Sequence, residues 1–243
     1  MIQISDVTKS FGGNKAVDGA TFDVEPNKVN LLIGANGSGK TTIINMISGL
    51  LHPDSGSITD EGADITHYTP DRIYHRGIMR TFQTPRLFAE LSVMENMLMA
   101  AKIDESFRHA LLPSKWSAAQ REARKKATEI LESLGMGELG GSLAYNLSGG
   151  QIKLLELAKG LMARPRTILL DEPIAGIAPA LAHKIFKTIR GLAASMTFLI
   201  VEHRLDIALG YSDRVIVLDD GRVIAVDAPD HVLSNEKVVE SYL

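Results

Sequence analysis

Gly34-Ala35-Asn36-Gly37-Ser38-Gly39-Lys40-Thr41 is the most informative segment of this sequence, and it has the form G-x-x-x-x-G-K-[ST]. The apolar run before it, residues 29–33, is typical of a buried strand, and residues 42–47 are typical of a helix. Between a strand and a helix, this form predicts a loop whose backbone N–H groups surround phosphate oxygens. Glycine permits the tight bend, and the helix start adds a partial positive charge. We therefore predict phosphate contacts from Gly34, Asn36, Gly37, Ser38, Gly39, Lys40, Thr41 and Thr42.

Two side chains of this loop have a direct chemical role in the prediction. Lys40 is expected to reach the β- and γ-phosphates of a nucleotide, and Thr41 is expected to offer its hydroxyl to Mg²⁺. The alternative is a glycine turn followed by a surface lysine. Three glycines, a lysine and a threonine that all fit the mechanism favour the phosphate-binding loop.

Composition and charge narrow the classes of protein that fit. The 243 residues are 45% hydrophobic and 23% charged, which is ordinary for a globular protein. The net charge of −3 gives no broad basic surface, so nucleic acid is not an expected partner. Without cysteine there is neither a disulfide nor a thiolate metal site. No signal peptide or membrane-spanning apolar run is found, so a membrane role is expected to depend on a partner.

Strand and helix patterns alternate along the chain, with a helical block in the middle. Residues 1–33 have β patterns, residues 84–160 are mostly helical, and strands at 167–170, 197–201 and 214–218 then alternate with helices. This order predicts a parallel sheet with helices on both faces. Asp220-Gly221 predicts a hairpin turn. The pairs Ser92 with Glu95 and Ser117 with Gln120 predict capping boxes at helix starts.

A second candidate site lies at Asp171 and Glu172, directly after the apolar run 168–170. The carboxyl end of a strand in an open α/β sheet is where ligands bind. Asp171 suits Mg²⁺, directly or through water, and Glu172 suits a general base for an attacking water. The alternative is a solvated acidic strand end, but a phosphate-binding loop needs such a strand to complete its metal site.

A third candidate site is Leu147-Ser148-Gly149-Gly150-Gln151, at the start of a helix. A serine cap alone would explain Ser148. Two successive glycines weaken a helix start, so they indicate a backbone that approaches a ligand. We therefore predict a second anion-binding helix start at Ser148, Gly149, Gly150 and Gln151.

The loop at 34–41, Gln83, the segment 147–151, the segment 168–173 and His203 occur in an order that resembles the ATP-binding subunits of ABC transporters. The segment 147–151 is the most specific element, and the resemblance covers essentially the whole chain. It implies an α/β P-loop NTPase (RecA-like) core with a mostly parallel sheet, an N-terminal antiparallel β-subdomain and an inserted α-helical subdomain. We expect one ABC ATPase domain, 1–243, with its nucleotide-binding core in 1–84 and 161–243 and its helical subdomain in 85–160.

The same resemblance implies roles that the residues alone do not establish. Gln83 would contact Mg²⁺ and the attacking water, His203 would contact the γ-phosphate, and Phe11 would stack on adenine. A core aromatic and a structural histidine are the alternatives for the last two. The chain departs from the family at Ala178, where many members have an aspartate. That difference puts in doubt the communication between two ATP sites through this side chain.

The implied cofactors are ATP and Mg²⁺, and the implied partners are a second ATPase subunit, transmembrane permease subunits and, indirectly, a solute-binding protein. The expected location is the cytoplasmic face of the cell membrane. Segments 77–85, 171–182 and 198–206 further resemble the branched-chain amino acid importer ATPases. Two alternatives stay open: a soluble ABC-type ATPase acting on nucleic acid or ribosomes, and a P-loop kinase or GTPase, against which Leu147–Gln151 argues.

Overall fold

The computed structural model describes residues 1–81, 87–101, 113–235 and 238, which belong to two compact units. The first unit comprises Met1–Gln83, Arg166–Ala175 and Ala182–Leu243. The second comprises Thr84–Pro165 and Gly176–Leu181.

Strands are confined to the first unit in the described part of the chain, apart from one isolated bridge. In chain order they are β1 (Ile2–Phe11), β2 (Asn14–Val24), β3 (Val29–Gly34), β4 (Ser55–Asp60), β5 (Ala63–Asp64), β6 (Ile78–Arg80), β7 (Thr167–Asp171), β8 (Thr197–Val201), β9 (Arg214–Asp219) and β10 (Arg222–Asp227).

The α-helices of the described residues are α1 (Lys40–Ile47), α2 (Pro70–His75), α3 (Val93–Met99), α4 (Pro113–Ser133), α5 (Gly149–Met162), α6 (Pro179–Leu192), α7 (Leu205–Ala208) and α8 (Pro229–Leu233). Short 3₁₀ helices lie at Gly137–Leu139, Ala144–Asn146 and Leu209–Tyr211. Within the described ranges, none of these helices combines the length and the apolar character needed to cross a membrane.

The strands of the first unit form two sheets. One is antiparallel, with the order β2-β1-β4-β5. The other has six strands in the order β10-β9-β3-β8-β7-β6, and only the β9–β10 pair is antiparallel. The predicted mostly parallel sheet and N-terminal antiparallel sheet are therefore confirmed.

The central strands are mostly apolar because both faces of the sheet are covered. Every residue of β3, β7 and β8 is buried, and the core residues of the first unit join both sheets with α1. The predicted hairpin between β9 and β10 is also confirmed. Asp220 and Gly221 both have positive φ, 43° and 79°, as a two-residue type I′ turn requires.

The second unit is built around α3, α4 and α5, which pack against one another. The predicted capping box at Ser92 and Glu95 is present, with both reciprocal hydrogen bonds. The second predicted capping box is wrong, because α4 begins at Pro113 and Ser117 lies inside it. Inside a helix the backbone N–H groups are already paired, so a serine there has no free donors to cap, and the Ser117 pattern does not mark the start of α4.

Candidate active site

The phosphate-binding loop connects the end of β3 to the start of α1, as predicted. Gly39 is the N-cap residue of α1, and Lys40 is its first residue. The Lys40 side chain turns back into the loop, where Nζ donates to the carbonyl oxygens of Gly34 at 2.9 Å and Ala35 at 2.7 Å. Burial lowers the pKa of Lys40, and the nearby Glu172 and Asp171 carboxylates oppose that effect. The Lys40 ammonium therefore lies near the carboxylates of Asp171 and Glu172, at the end of β7.

A cavity of about 190 Å³ lies over this loop and brings the two predicted sites of the first unit together. Its lining residues are Ala16, Asn36, Gly37, Gly39, Lys40, Thr41, Thr42, Glu172 and His203. Gly34 and Ser38 are buried and are not part of this lining. The Ser38 Oγ is 3.4 Å from Lys40 Nζ. Ala16 had no signal in the sequence, because it enters the site only through the packing of β2 against α1.

The carboxyl ends of β7 and β8 place an acid and an imidazole side by side. Glu172 follows β7, and its backbone N–H donates to the Val201 carbonyl of β8 at 2.9 Å. Glu172 has a φ of 52°, a left-handed conformation that is uncommon outside glycine and is often found at functional sites. His203 follows β8, and its Nε2 is 3.3 Å from the Glu172 Oε1. Both side chains are partly exposed to the cavity.

Asp171 is held by an arginine that sequence reasoning missed. Arg80, the last residue of β6, donates from its guanidinium to the Asp171 Oδ2 at 3.0 Å. It also contacts Asn45 of α1 and Ser48, the residue that follows this helix. Burial raises the pKa of Asp171, and Arg80 opposes the rise. No local pattern singled out Arg80, because its pairing with Asp171 depends on the order of the strands in the sheet.

The other oxygen of this carboxylate has the environment of a ligand atom. The Asp171 side chain is fully buried, and its Oδ1 has no hydrogen-bond partner among the described residues. An unpaired buried carboxylate oxygen costs free energy unless water or a metal ion contacts it. Together with the Thr41 hydroxyl in the cavity lining, Asp171 therefore offers oxygen atoms of the kind that Mg²⁺ prefers.

The predicted segment at 148–151 belongs to the second unit and opens α5. Ser148 is the N-cap residue and forms a capping box with Gln151. The Ser148 N–H donates to the Gln151 Oε1 at 2.8 Å, and the Gln151 N–H donates to the Ser148 Oγ at 3.4 Å. Gly149 and Gly150 form the first turn of the helix. The serine thus caps its own helix, while the N–H groups of both glycines lie in a turn that has no earlier helical carbonyls.

The remaining predicted residues are Phe11 and Gln83. Phe11 ends β1, is 49% exposed, and has the Lys9 ammonium 5.8 Å from its ring centre. It is not part of the cavity lining over the phosphate-binding loop. Gln83 lies outside the described residues.

Comparisons with known proteins agree with this architecture. The ABC transporter family model matches residues 17–175. A probable branched-chain amino acid transport ATP-binding protein LivG of Methanocaldococcus jannaschii is 45% identical, over 100% of this chain and 97% of that protein. The high-affinity branched-chain amino acid transport ATP-binding protein BraF of Pseudomonas aeruginosa is 34% identical, over 100% and 97%.

A solved structure matches the chain at a similar sequence identity and over its whole length. The ADP conformation of an ATP-binding cassette of an ABC transporter is 44% identical, with a TM-score of 0.86, over 100% of this chain and 98% of that one. The family resemblance drawn from the motifs is thereby confirmed. Because the family match spans more than half of the chain and the likeness to whole relatives runs from end to end, this chain belongs to the ABC transporter family, as one of its ATP-hydrolysing cassettes.

Proposed function

We propose that this chain is the ATP-binding and ATP-hydrolysing subunit of a membrane importer for branched-chain amino acids. The observation that carries the catalytic part is that Lys40, Glu172 and His203 line one cavity, with the Glu172 Oε1 3.3 Å from the His203 Nε2. The substrate class is supported by the names of full-length relatives at 45% and 34% identity. These relatives are transport proteins, which favours an importer over the alternative of an ATPase acting on nucleic acid or ribosomes.

In the proposed ATP hydrolysis, different residues of the first unit bind the phosphates and activate the attacking water. The loop N–H groups and the Lys40 ammonium bind the phosphates, and donors fixed in advance are the largest source of rate enhancement at such sites. The Glu172 carboxylate accepts a proton from the attacking water, and general-base catalysis supplies about 10²- to 10⁴-fold. His203 contacts the γ-phosphate and, through its contact with Glu172, holds that carboxylate toward the same cavity.

Thr41 and Asp171 would hold Mg²⁺, with Gln83 as a further predicted ligand. The unpaired Asp171 Oδ1 and the hydroxyl of Thr41 are the features that fit the ion. Bound with ATP, Mg²⁺ neutralises charge on the β- and γ-phosphate oxygens. Arg80 keeps the opposite carboxylate oxygen of Asp171 occupied, so the side chain cannot rotate freely.

Replacing Glu172 with glutamine tests the catalytic assignment, because the shape is kept and the base is removed. Glu172→Gln should bind ATP like the wild-type protein and hydrolyse it at least ~10²-fold more slowly. Glu129→Gln, an exposed change on α4, is the matched control and should hydrolyse normally. Near-normal turnover in purified Glu172→Gln would remove Glu172 from this role.

We further propose that the working unit is an ATP-dependent dimer, homo- or heteromeric. One chain has one phosphate-binding loop and a second candidate anion-binding helix start at Ser148, Gly149 and Gly150. In the family arrangement, this second start covers the γ-phosphate bound by the other subunit, and a two-fold interface then contains two ATP molecules. Gln151 supports the loop through its capping contact with Ser148.

Glu172→Gln at saturating ATP is the direct measurement of this dimer, because slow hydrolysis preserves the bound state. Analytical ultracentrifugation should show a dimer with ATP and a monomer with ADP. A monomer under both conditions, alone and with the membrane partner, would contradict the shared site.

The permease contact is proposed for the segment around Phe88 in the second unit. Phe88 is 51% exposed, yet its backbone is held on both sides by the buried Asn96. Asn96 accepts from the Phe88 N–H at 2.9 Å and donates to the Phe88 carbonyl at 3.0 Å. An exposed aromatic side chain whose backbone is held by two hydrogen bonds is suited to bind a helix of a partner in a groove. Such a contact would place the subunit at the cytoplasmic face of the membrane.

Single cysteines test this surface cleanly, since the natural chain has none. Cysteines placed from residue 85 to 90 should crosslink to a membrane subunit in the intact complex, whereas a cysteine at the exposed Glu129 should not. Absence of crosslinks across the scan would contradict the surface. Purifying the complex identifies the permease subunits and any solute-binding protein, while ribosomal material would support the alternative.

A further inference from the structure

Glu202 is a buried carboxylate that the proposed chemistry does not use. It follows β8 directly, precedes His203, and is only 1% exposed. Taking an ionised carboxylate out of water is costly unless hydrogen bonds replace its hydration. The hydrogen bonds of this side chain therefore indicate its role.

The Glu202 carboxylate connects the backbones of two different segments. Its Oε1 accepts from the Ile174 N–H at 2.8 Å, and its Oε2 accepts from the His203 N–H at 3.1 Å and, at the long limit of 3.5 Å, from the Arg204 N–H. Burial raises the pKa of Glu202, and these backbone donors oppose the rise. An ionised carboxylate is an acceptor only, so it matches three N–H donors without a competing O–H.

These two segments carry the two groups that meet in the cavity. Ile174 lies two residues after Glu172, across Pro173, whose ring restricts the backbone between them. His203 is the next residue after Glu202. The hydrogen bond from the Glu172 N–H to the Val201 carbonyl fixes the start of the first segment, and the bond from Ile174 to Glu202 fixes its continuation.

We propose that Glu202 is a positioning residue that sets the spacing between the Glu172 carboxylate and the His203 imidazole. The proposal deepens the function proposed above and rests on it. Glu202 contacts neither water nor nucleotide in this role, because it is only 1% exposed and backbone N–H groups occupy both of its carboxylate oxygens. Its effect passes through the backbone of Ile174 and His203, and misplacement of a reacting group by about 1 Å can cost ~10²-fold in rate.

Glu202→Gln is the decisive change, because the amide keeps the shape but replaces one acceptor oxygen with a donor. The NH₂ group must then face a backbone N–H at one end of the carboxylate position. We expect kcat to fall by about 10- to 100-fold while KM for ATP changes less than about twofold, since the phosphate-binding loop is untouched. Unchanged kcat in the folded variant would overturn the proposal.

A matched control separates positioning from simple loss of a buried carboxylate. Asp60 is 2% exposed and lies between Arg76 and Arg166, on the antiparallel sheet. Asp60→Asn should lower the melting temperature with kcat unchanged. If Glu202→Gln and Asp60→Asn lower kcat equally at matched stability, Glu202 is merely structural and the proposal fails.

A double-mutant cycle with His203→Ala provides the second readout, measured in single turnovers with excess enzyme. If Glu202 acts by placing His203 against Glu172, the added loss from Glu202→Gln should shrink to about twofold or less once His203 is gone. Equal losses in both backgrounds would refute the proposal. Should Glu202→Gln fail to fold, Glu202→Asp keeps the charge but shortens the reach, and the same kcat loss and the same cycle apply to it.

The outcomes also distinguish this proposal from the catalytic assignment itself. Loss of hydrolysis in Glu172→Gln with normal kcat in Glu202→Gln would leave the proposed function intact and remove only the positioning role. Normal hydrolysis in Glu172→Gln would remove the assignment on which the positioning role rests.

Discussion

The prediction that follows most directly from the geometry compares alanine at two glycines of the phosphate-binding loop. Gly39 has a φ of 100°, and a Cβ there would lie 2.3 Å from the Ala16 carbonyl oxygen. Gly37 has a φ of 84°, and a Cβ there would meet nothing within 4 Å. Both residues have a backbone conformation that side chains disfavour, but only Gly39 has a backbone atom in the way.

The expected magnitudes follow from these two numbers. A left-handed conformation costs a residue with a Cβ about 1–2 kcal/mol, and alanine recovers about 0.4–1 kcal/mol by restricting the unfolded chain. These terms are common to both variants and largely cancel in the comparison. The overlap with the Ala16 carbonyl adds about 1–3 kcal/mol for Gly39→Ala alone, as for other overpacked positions. Gly39→Ala should therefore be less stable than Gly37→Ala by that amount.

Urea unfolding of the purified variants measures the difference, with equal slopes required for a valid comparison. ATP binding is the second readout, because relief of the overlap must move the start of α1 and with it Lys40. Equal unfolding midpoints for the two variants would refute the reasoning. So would a Gly39→Ala protein that is destabilised as expected but binds ATP like the wild type.

Three further predictions concern single side chains. Arg80→Met should lower the free energy of unfolding by about 3–5 kcal/mol, because it leaves the buried Asp171 carboxylate without the cation that pairs with it. In urea unfolding, adding Asp171→Asn to this variant should restore part of the lost stability. Arg80→Met as stable as the wild-type protein would contradict the pairing. Lys126 has its pKa lowered from 10.5 to about 8 by burial, with a smaller effect from Arg164. Between about pH 8 and 10.5 the folded chain therefore binds fewer protons than the unfolded chain. The free energy of unfolding of the wild-type protein should rise over this pH range relative to that of Lys126→Met. Parallel pH profiles of the two proteins would contradict this prediction. Phe11→Ala should weaken ATP binding by about 1–3 kcal/mol in calorimetry if the exposed ring stacks on adenine, whereas Phe11→Trp should retain affinity, and unchanged affinity in the alanine variant would remove the ring from the site.

Local patterns predicted the elements that carry the candidate site. The strand before Gly34, the helix after Lys40 and the turn at Asp220-Gly221 all lie where short-range patterns indicated them. Such patterns work because strand alternation, helix periodicity and turn conformations depend on neighbouring residues. The wrong start of α4 shows their weakness, since Ser117 matches a capping pattern yet lies within the helix.

Local patterns also located some of the residues of the candidate site. Lys40, Asp171 and Glu172 were found because each stands at the end of a recognisable strand or in a specific motif. Their roles, like those of His203 and the segment at 148–151, stay predictions until the variants above are measured. Gln83 lies outside the described residues, so its predicted role depends on the resemblance alone.

By itself, the sequence indicated the family from motifs spread along the chain. It also indicated the phosphate-binding loop and the main strands and helices of the first unit, because each of these is encoded within a few consecutive residues. Only the tertiary structure decided which side chains meet. Arg80 contacts Asp171 across 91 positions, and Glu202 contacts the Ile174 backbone across 28. Both contacts exist because β6, β7 and β8 are neighbours in the sheet. Strand adjacency results from how the chain packs its core, and no local pattern encodes it.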